Sequence, residues 1–90
     1  MIFFKDCFWN SYENLKSELS KDEVFKKDFA GVDLKFYINE ADTWSESKRV
    51  KRTERGWYLT LRKFMREAKQ IGKLQINESF KKNKGGHTNH

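Results

Sequence analysis

Apolar residues recur every three to four positions along much of the chain, which is the period of an amphipathic helix. In the first segment, one helical face carries Phe4, Phe8, Leu15 and Leu19, with Tyr12 at its edge. A second interpretation is that Ser11 caps a helix beginning after it, which leaves residues 2–9 extended. The pattern leaves both interpretations open.

Two shorter patterns follow. Ser20-Lys21-Asp22-Glu23 has the spacing of a capping box, in which Ser20 accepts from the Glu23 N–H, and it predicts a short helix from this point to near Gly31. Asp33 is a good N-cap for a third helix. The apolar face of that helix would carry Leu34, Tyr37, Ile38, Ala41 and Trp44, whereas Phe36 points away from it.

The stretch from Ser45 to Arg52 lacks apolar periodicity, so we expect a loop there, with Thr53 as the next N-cap. The last predicted helix, 54–71, would end at Gly72. Its apolar face carries Trp57, Leu61, Phe64, Met65, Ala68 and Ile71. Nearly opposite, at about 100° per residue, lie Arg55, Arg62, Arg66 and Lys69.

These patterns predict an all-α protein. The chain has no proline and only five glycines, so it lacks the frequent turn residues of an all-β fold. We expect a small bundle of three to four helices with a basic amphipathic last helix. Residues 1–72 would form this single helical domain, and residues 73–90 a flexible polar tail.

Composition adds a prediction about the core. Eight Phe, three Trp and three Tyr are many for 90 residues, so the core should be rich in aromatic rings, with Trp44 and Trp57 packed inside it. Cys7 is the only cysteine, which excludes an intrachain disulfide, and it lies in an aromatic run, where burial is expected. No targeting pattern or membrane span is visible, which indicates a cytoplasmic protein with no membrane partner.

Charge is strongly segregated along the chain. Of the net charge of +6, residues 1–47 contribute −4, residues 48–73 contribute +8 and residues 74–90 contribute +2. Segregation of this kind produces a field that steers polyanions toward one face. The acidic part could instead meet a basic groove on a partner protein.

The basic stretch is the main candidate for a binding site. Arginine pairs bidentately with phosphate oxygens, and each neutralised phosphate releases counterions. The alternative is a solvated helix face without a partner. Tyr58 and Phe36 lie off the apolar faces and are the candidates for exposed aromatic contacts. The predicted nucleic-acid or partner-binding residues are Lys48, Arg49, Lys51, Arg52, Arg55, Tyr58, Arg62, Lys63, Arg66 and Lys69.

Catalysis finds no support in the residues. His87 and His90 lie in the expected tail, Cys7 has no base beside it in the sequence, and the carboxylates are interleaved with lysines as on an ordinary helix surface. We therefore expect no enzymatic activity, no cofactor, no metal and no small-molecule substrate.

The run from Tyr37 to Met65 resembles a known family. It contains Trp44-Ser45-Glu46-Ser47, Lys51-Arg52, Gly56-Trp57 and Phe64-Met65. A similar W-S-x-S turn, basic pair, G-W and aromatic-Met pair occur in the C-terminal module of replisome-organiser-like replication proteins from phages and mobile elements of Bacteroidota-type bacteria. With looser upstream matches at Phe4, Phe8 and 32–34, the resemblance covers about two-thirds of the chain.

That family carries the module behind a larger winged-helix or similar domain, so we expect a freestanding module here. The resemblance implies a phage-like source in a bacterial host cell and, as the alternative function, an accessory role in DNA replication. In size and in lack of enzymatic motifs the chain is also similar to anti-CRISPR proteins, so the first hypothesis is an inhibitor of an RNA-guided nuclease. The expected partner is therefore RNA or DNA, alone or in an RNA-guided nuclease complex. An adaptor that binds only protein is a third hypothesis.

Overall fold

A computed structural model describes residues 1–76, which form an all-α bundle as predicted. A short 3-10 helix, Phe4–Asp6, precedes four α-helices, and two isolated antiparallel bridges join Ile2 to Arg52 and Val32 to Ile76. The helices are α1 Tyr12–Leu19, α2 Glu23–Asp28, α3 Leu34–Lys48 and α4 Glu54–Gln70. None of the helices in this part of the chain has the length and hydrophobicity needed to cross a bilayer.

Three of the predicted N-caps are confirmed. Ser11, Asp33 and Thr53 each accept a hydrogen bond from the backbone N–H three residues later, at 3.3, 3.1 and 2.9 Å. Each bond satisfies an N–H that has no partner within its helix. For the first segment, the interpretation with Ser11 as a cap is therefore right. Phe8 does not lie on a helical face; it is 55% exposed in the turn before α1.

The predicted capping box at Ser20 is wrong. Ser20 ends α1, and its hydroxyl donates to the backbone oxygen of Ser17 at 2.8 Å. The N-cap of α2 is Asp22, whose carboxylate accepts from the Phe25 N–H at 3.0 Å. The reason is that α1 must continue to Leu19 to bury this side chain, so the next helix can begin only after it.

The predicted loop begins too early. Helix α3 continues to Lys48, and Ser45 is fully buried within it. Its hydroxyl accepts from the Phe4 N–H at 3.1 Å and donates to the Val50 oxygen at 2.9 Å. A buried hydroxyl is stable only when it is hydrogen-bonded, and these two bonds explain a polar residue in the core.

Helix α3 lies at the centre of the bundle, in contact with α4, α1 and the 3-10 helix. The expected aromatic core is confirmed: Phe4 and Trp57 are fully buried, with ring centroids 5.3 Å apart. Trp44 packs at its edge, 6.2 Å from Trp57 and 5.9 Å from Phe64. Cys7 is buried as expected. Ile71, predicted to be apolar contact surface, is 68% exposed because α4 ends at Gln70.

The first residues of the expected tail are packed against the bundle. The Asp33 N–H donates to the Gln75 oxygen at 3.0 Å, and the Gln75 N–H donates to the Tyr37 hydroxyl at 3.0 Å. Leu74 also packs against the core. The predicted tail therefore does not begin at residue 73, and its part from Asn77 to His90 lies outside the described residues.

Candidate functional site

A short backbone pairing holds the N-terminal residues against the turn between α3 and α4. The Ile2 N–H donates to the Arg52 oxygen at 2.9 Å, and the Arg52 N–H donates to the Ile2 oxygen at 3.0 Å. The Trp57 indole N–H donates to the same Ile2 oxygen at 2.8 Å. Because Ile2 is fixed in this way, Phe3 lies beside the turn.

Three cationic side chains surround the ring of Phe3. The distances to the ring centroid are 5.0 Å for Lys51 Nζ, 5.4 Å for Arg49 Cζ and 6.0 Å for Lys5 Nζ. A cation within about 6 Å of an aromatic centroid is attracted to the negative face of the ring. We call Phe3, Lys5, Arg49 and Lys51 the Phe3 cluster.

The backbone of Arg49 has an unusual conformation. Its φ of 56° and ψ of 47° lie in the left-handed region, and within residues 1–76 it is the one non-glycine residue with positive φ. Glycine usually takes this position at a helix end, because a side chain costs about 1–2 kcal/mol there. The Arg49 side chain therefore stands at a position whose backbone conformation favours glycine.

The cations of the turn have few carboxylate partners. Lys48, Arg49 and Lys51 are exposed, and no carboxylate oxygen of the described chain lies within 4.0 Å of their charged nitrogens. Lys5 makes one exposed contact, 3.7 Å from Glu46. Such a contact is worth little, so the turn presents an excess of positive charge that an external anion would neutralise.

Three of the four exposed cations that were predicted on α4 share one face. Arg55, Lys63 and Arg66 lie around Leu59, which is 50% exposed at the middle of this face. Lys63 is 4.0 Å from Glu67, whereas Arg66 makes no ion pair with any described residue. These side chains add positive charge along α4.

Arg62 makes contacts within the protein. Its Nη1 donates to the Asp22 carboxylate at 2.9 Å and to the Tyr58 hydroxyl at 3.1 Å. The pKa of Asp22 lies below its ordinary value of 3.8, first because its carboxylate accepts the Phe25 N–H and second because of Arg62. Arg62 is therefore paired within the protein. The helical pattern of α4 predicts on which side of the helix Arg62 lies, but it does not predict this partner at the start of α2.

Lys69 is likewise used internally. Its ammonium donates to the backbone oxygen of Asp28 and lies 5.2 Å from the ring centroid of Phe29. Together with Arg62, it holds α4 against both ends of α2.

Tyr58 is not the exposed aromatic residue that we predicted; only 6% of it is accessible. Trp9, from the segment before α1, covers it with a ring-centroid distance of 5.1 Å. Arg55 packs against the same ring at 5.5 Å. Phe36 is 37% exposed, in agreement with its predicted direction.

Arg52 lies between the turn and the core. Its guanidinium carbon is 5.4 Å from the Trp44 ring centroid and 5.6 Å from that of Trp57. Its Nε is buried, with no hydrogen-bond partner in the described structure. Arg52 therefore covers two tryptophans, and its side chain is less available to a partner than those of the Phe3 cluster.

Other features offer less chemistry. A groove of about 320 Å³ between α3 and α4 has Phe36, Trp44 and Phe64 in its walls. Within residues 1–76, no group of three or more His, Cys, Asp or Glu side chains is placed to hold a metal ion. Burial raises the pKa of Cys7 from 9.0 to about 11, and nearby Glu54 also raises it.

Comparison with protein-family models finds no family that matches the chain, and neither curated proteins nor solved structures give a match. The resemblance to replication modules therefore remains a prediction, and the function is argued from the geometry.

Two residues of the site, Phe3 and Lys5, were missed by the sequence analysis. They precede the other members of the cluster by more than 40 positions and come into contact with them through the bridge from Ile2 to Arg52. A two-residue bridge leaves no periodic pattern in the sequence. The adjacent pair Phe3-Phe4 was the signal that could have indicated an exposed ring. A helix or strand that buries one of two adjacent rings leaves the other more exposed.

Proposed function

We propose that this protein binds nucleic acid through a surface that comprises the Phe3 cluster, Lys48 and the exposed cations of α4. The observation that carries the proposal is the convergence of three cations on one partly exposed aromatic ring, without carboxylates to neutralise Arg49 and Lys51. Phosphodiester chains supply both a regular negative charge and aromatic bases. Inorganic phosphate or a simple carboxylate would use the cations but not the ring.

The arrangement also has an electrostatic advantage. Lys48, Arg49 and Lys51 lie within four positions, so their mutual repulsion is relieved when a polyanion binds. Binding then releases condensed counterions from the nucleic acid, which makes the affinity fall steeply as salt concentration rises. Arg55, Lys63 and Arg66 extend the surface for further phosphates.

A neutralisation experiment tests the proposal. The triple variant K48Q/R49Q/K51Q is compared with K21Q/K26Q/K27Q, which removes three exposed lysines from the acidic part of the chain and gives the same net charge. Binding of fluorescein-labelled single-stranded RNA, single-stranded DNA and duplex DNA is measured by anisotropy over a range of salt concentrations.

The first variant should lose about tenfold or more in affinity, and the slope of log affinity against log salt should flatten by about two. The second should stay within about threefold of the parent. Equal losses in both variants would mean that net charge alone attracts the nucleic acid, and no binding by the parent at low salt would refute the proposal.

The biological setting is a separate part of the proposal, and it rests on the resemblances given for the sequence. An inhibitor of an RNA-guided nuclease should co-purify with the guide-loaded complex and reduce its cleavage. An accessory replication protein should instead bind free DNA at least as well as any such complex. K48Q/R49Q/K51Q should weaken whichever contact is found, and unchanged contact would argue for an adaptor that binds protein only.

A further inference from the structure

We infer that the Phe3 cluster receives an unpaired nucleotide, with its base against the Phe3 ring and its phosphates on the surrounding cations. This inference rests on the proposed function and names the form of nucleic acid that the site prefers. It separates single-stranded RNA or DNA, including unpaired loops, from duplexes.

Phe3 contributes little to the packing of the fold. Phe4 is fully buried and contributes to the core, whereas Phe3 is partly exposed and belongs neither to the core nor to the apolar side chains packed against it. Within the described residues its ring makes no aromatic pair, and its close neighbours include three cations. Core stability therefore does not explain an aromatic residue at this position.

The Arg49 guanidinium supplies a second planar surface beside the Phe3 ring. Its left-handed backbone holds the guanidinium 5.4 Å from the Phe3 centroid. Guanidinium planes and aromatic rings are the two surfaces on which proteins stack unpaired bases. The turn places one of each side by side, although glycine would fit the backbone better.

Stacking of bases on an aromatic ring distinguishes single strands from duplexes. In a duplex the faces of each base are covered by neighbouring bases, so an aromatic ring on a protein surface has nothing to stack on. Cations alone bind both forms of nucleic acid, because both carry phosphates. A ring that is surrounded by cations adds stacking energy, about 1–3 kcal/mol per base, only when bases are unpaired.

The test changes the ring and keeps every charge. F3L removes the aromatic face, and F36L is the matched control, because Phe36 is also partly exposed and is not one of the buried core residues, although its ring lies 5.0 Å from that of Tyr37. The probes are a labelled single strand of about twelve nucleotides, as RNA and as DNA, and a duplex of the same length.

F3L should weaken single-strand binding by about tenfold and duplex binding by less than about twofold. Its salt slope should match that of the parent, because no cation is removed, and F3W should restore the affinity. F36L should leave both affinities within about twofold. If F3L is as good a binder as the parent, or loses equally on both probes, the inference is overturned.

Failure of the inference is distinguishable from failure of the proposed function. A parent protein that binds both probes and loses affinity in K48Q/R49Q/K51Q, but not in F3L, retains the proposed function without base stacking. A parent protein that binds neither probe at low salt loses both.

Discussion

The hydroxyl of Ser45 accepts the backbone N–H of Phe4 at 3.1 Å, although 41 residues separate them. The same hydroxyl donates to the Val50 oxygen at 2.9 Å. One buried oxygen therefore joins the N-terminal segment, helix α3 and the turn after it. The first and the last of these parts carry the Phe3 cluster.

S45A should lower the free energy of unfolding by about 1–3 kcal/mol, because it leaves the buried Phe4 N–H without a partner and takes the donor from the Val50 oxygen. Denaturation in urea, followed by tryptophan fluorescence, measures the change. The control is S47A on the exposed side of the same helix, which should stay within about 0.5 kcal/mol of the parent. Equal stability of S45A and S47A would contradict the role assigned to this hydrogen bond.

R49G and R49A separate the backbone of Arg49 from its charge. Both variants remove the guanidinium, so both should weaken nucleic-acid binding by the same factor. Glycine tolerates a φ of 56° and alanine does not, so R49G should be about 1 kcal/mol more stable than R49A. Urea denaturation gives the stabilities and anisotropy gives the affinities. An R49A variant at least as stable as R49G would argue against the strain.

The interactions of the Asp22 carboxylate, with the Phe25 N–H first and with Arg62 second, should appear in the pH dependence of stability. The folded-state pKa of Asp22 is depressed, so its carboxylate stabilises the fold above the unfolded-state pKa of about 3.9, and this contribution is lost as the pH falls through the folded-state value. D22N keeps a capping oxygen but no charge. It should be less stable than the parent at neutral pH, and the difference should shrink in acid.

Chemical denaturation at a series of pH values measures this difference. D28N serves as the control, because the Asp28 carboxylate makes no ion pair with a described residue. If D22N is less stable than the parent by the same amount at pH 7 and in acid, the loss of stability comes from packing and not from the charge interaction.

Cys7 should be unreactive in the folded protein. Burial raises its pKa to about 11, and the thiol lies 3.5 Å from a Glu54 carboxylate oxygen, so almost no thiolate exists at neutral pH. Alkylation by iodoacetamide, followed by mass spectrometry, should be at least tenfold slower in the native protein than in urea, because the thiolate is the nucleophile. Fast alkylation of the native protein would show that the segment carrying Cys7 opens readily.

Local signals predicted much of the helical framework. Ser11, Asp33 and Thr53 cap helices because each precedes an apolar period, which is information contained within a few residues. The error at Ser20 arose because three carboxyl or hydroxyl residues stand close together, and only the burial of Leu19 decides which of them begins α2.

Contacts over long sequence distances could not be predicted. Ser45 reads as the start of a polar loop until Phe4 supplies its hydrogen-bond donor, and Arg62 reads as a free cation until Asp22 is placed beside it. The positive charge around the turn was visible in the sequence, although the loop was predicted to begin at Ser45 and α3 continues to Lys48. The aromatic centre of the Phe3 cluster was not visible, because Phe3 reaches the turn through a single bridge.

The bridge from Ile2 to Arg52 also sets an order of assembly. During synthesis the segment containing Phe3 leaves the ribosome first, but Ser45, Arg52 and Trp57, which hold its neighbours Ile2 and Phe4, are added 41 to 55 positions later. Contacts between residues so far apart in the sequence form slowly, and the contact with Trp57 cannot form before α4 has been synthesised. The ring and the two cations of the turn therefore meet only on a chain translated at least as far as α4, so a nascent or prematurely terminated product would lack the assembled Phe3 cluster.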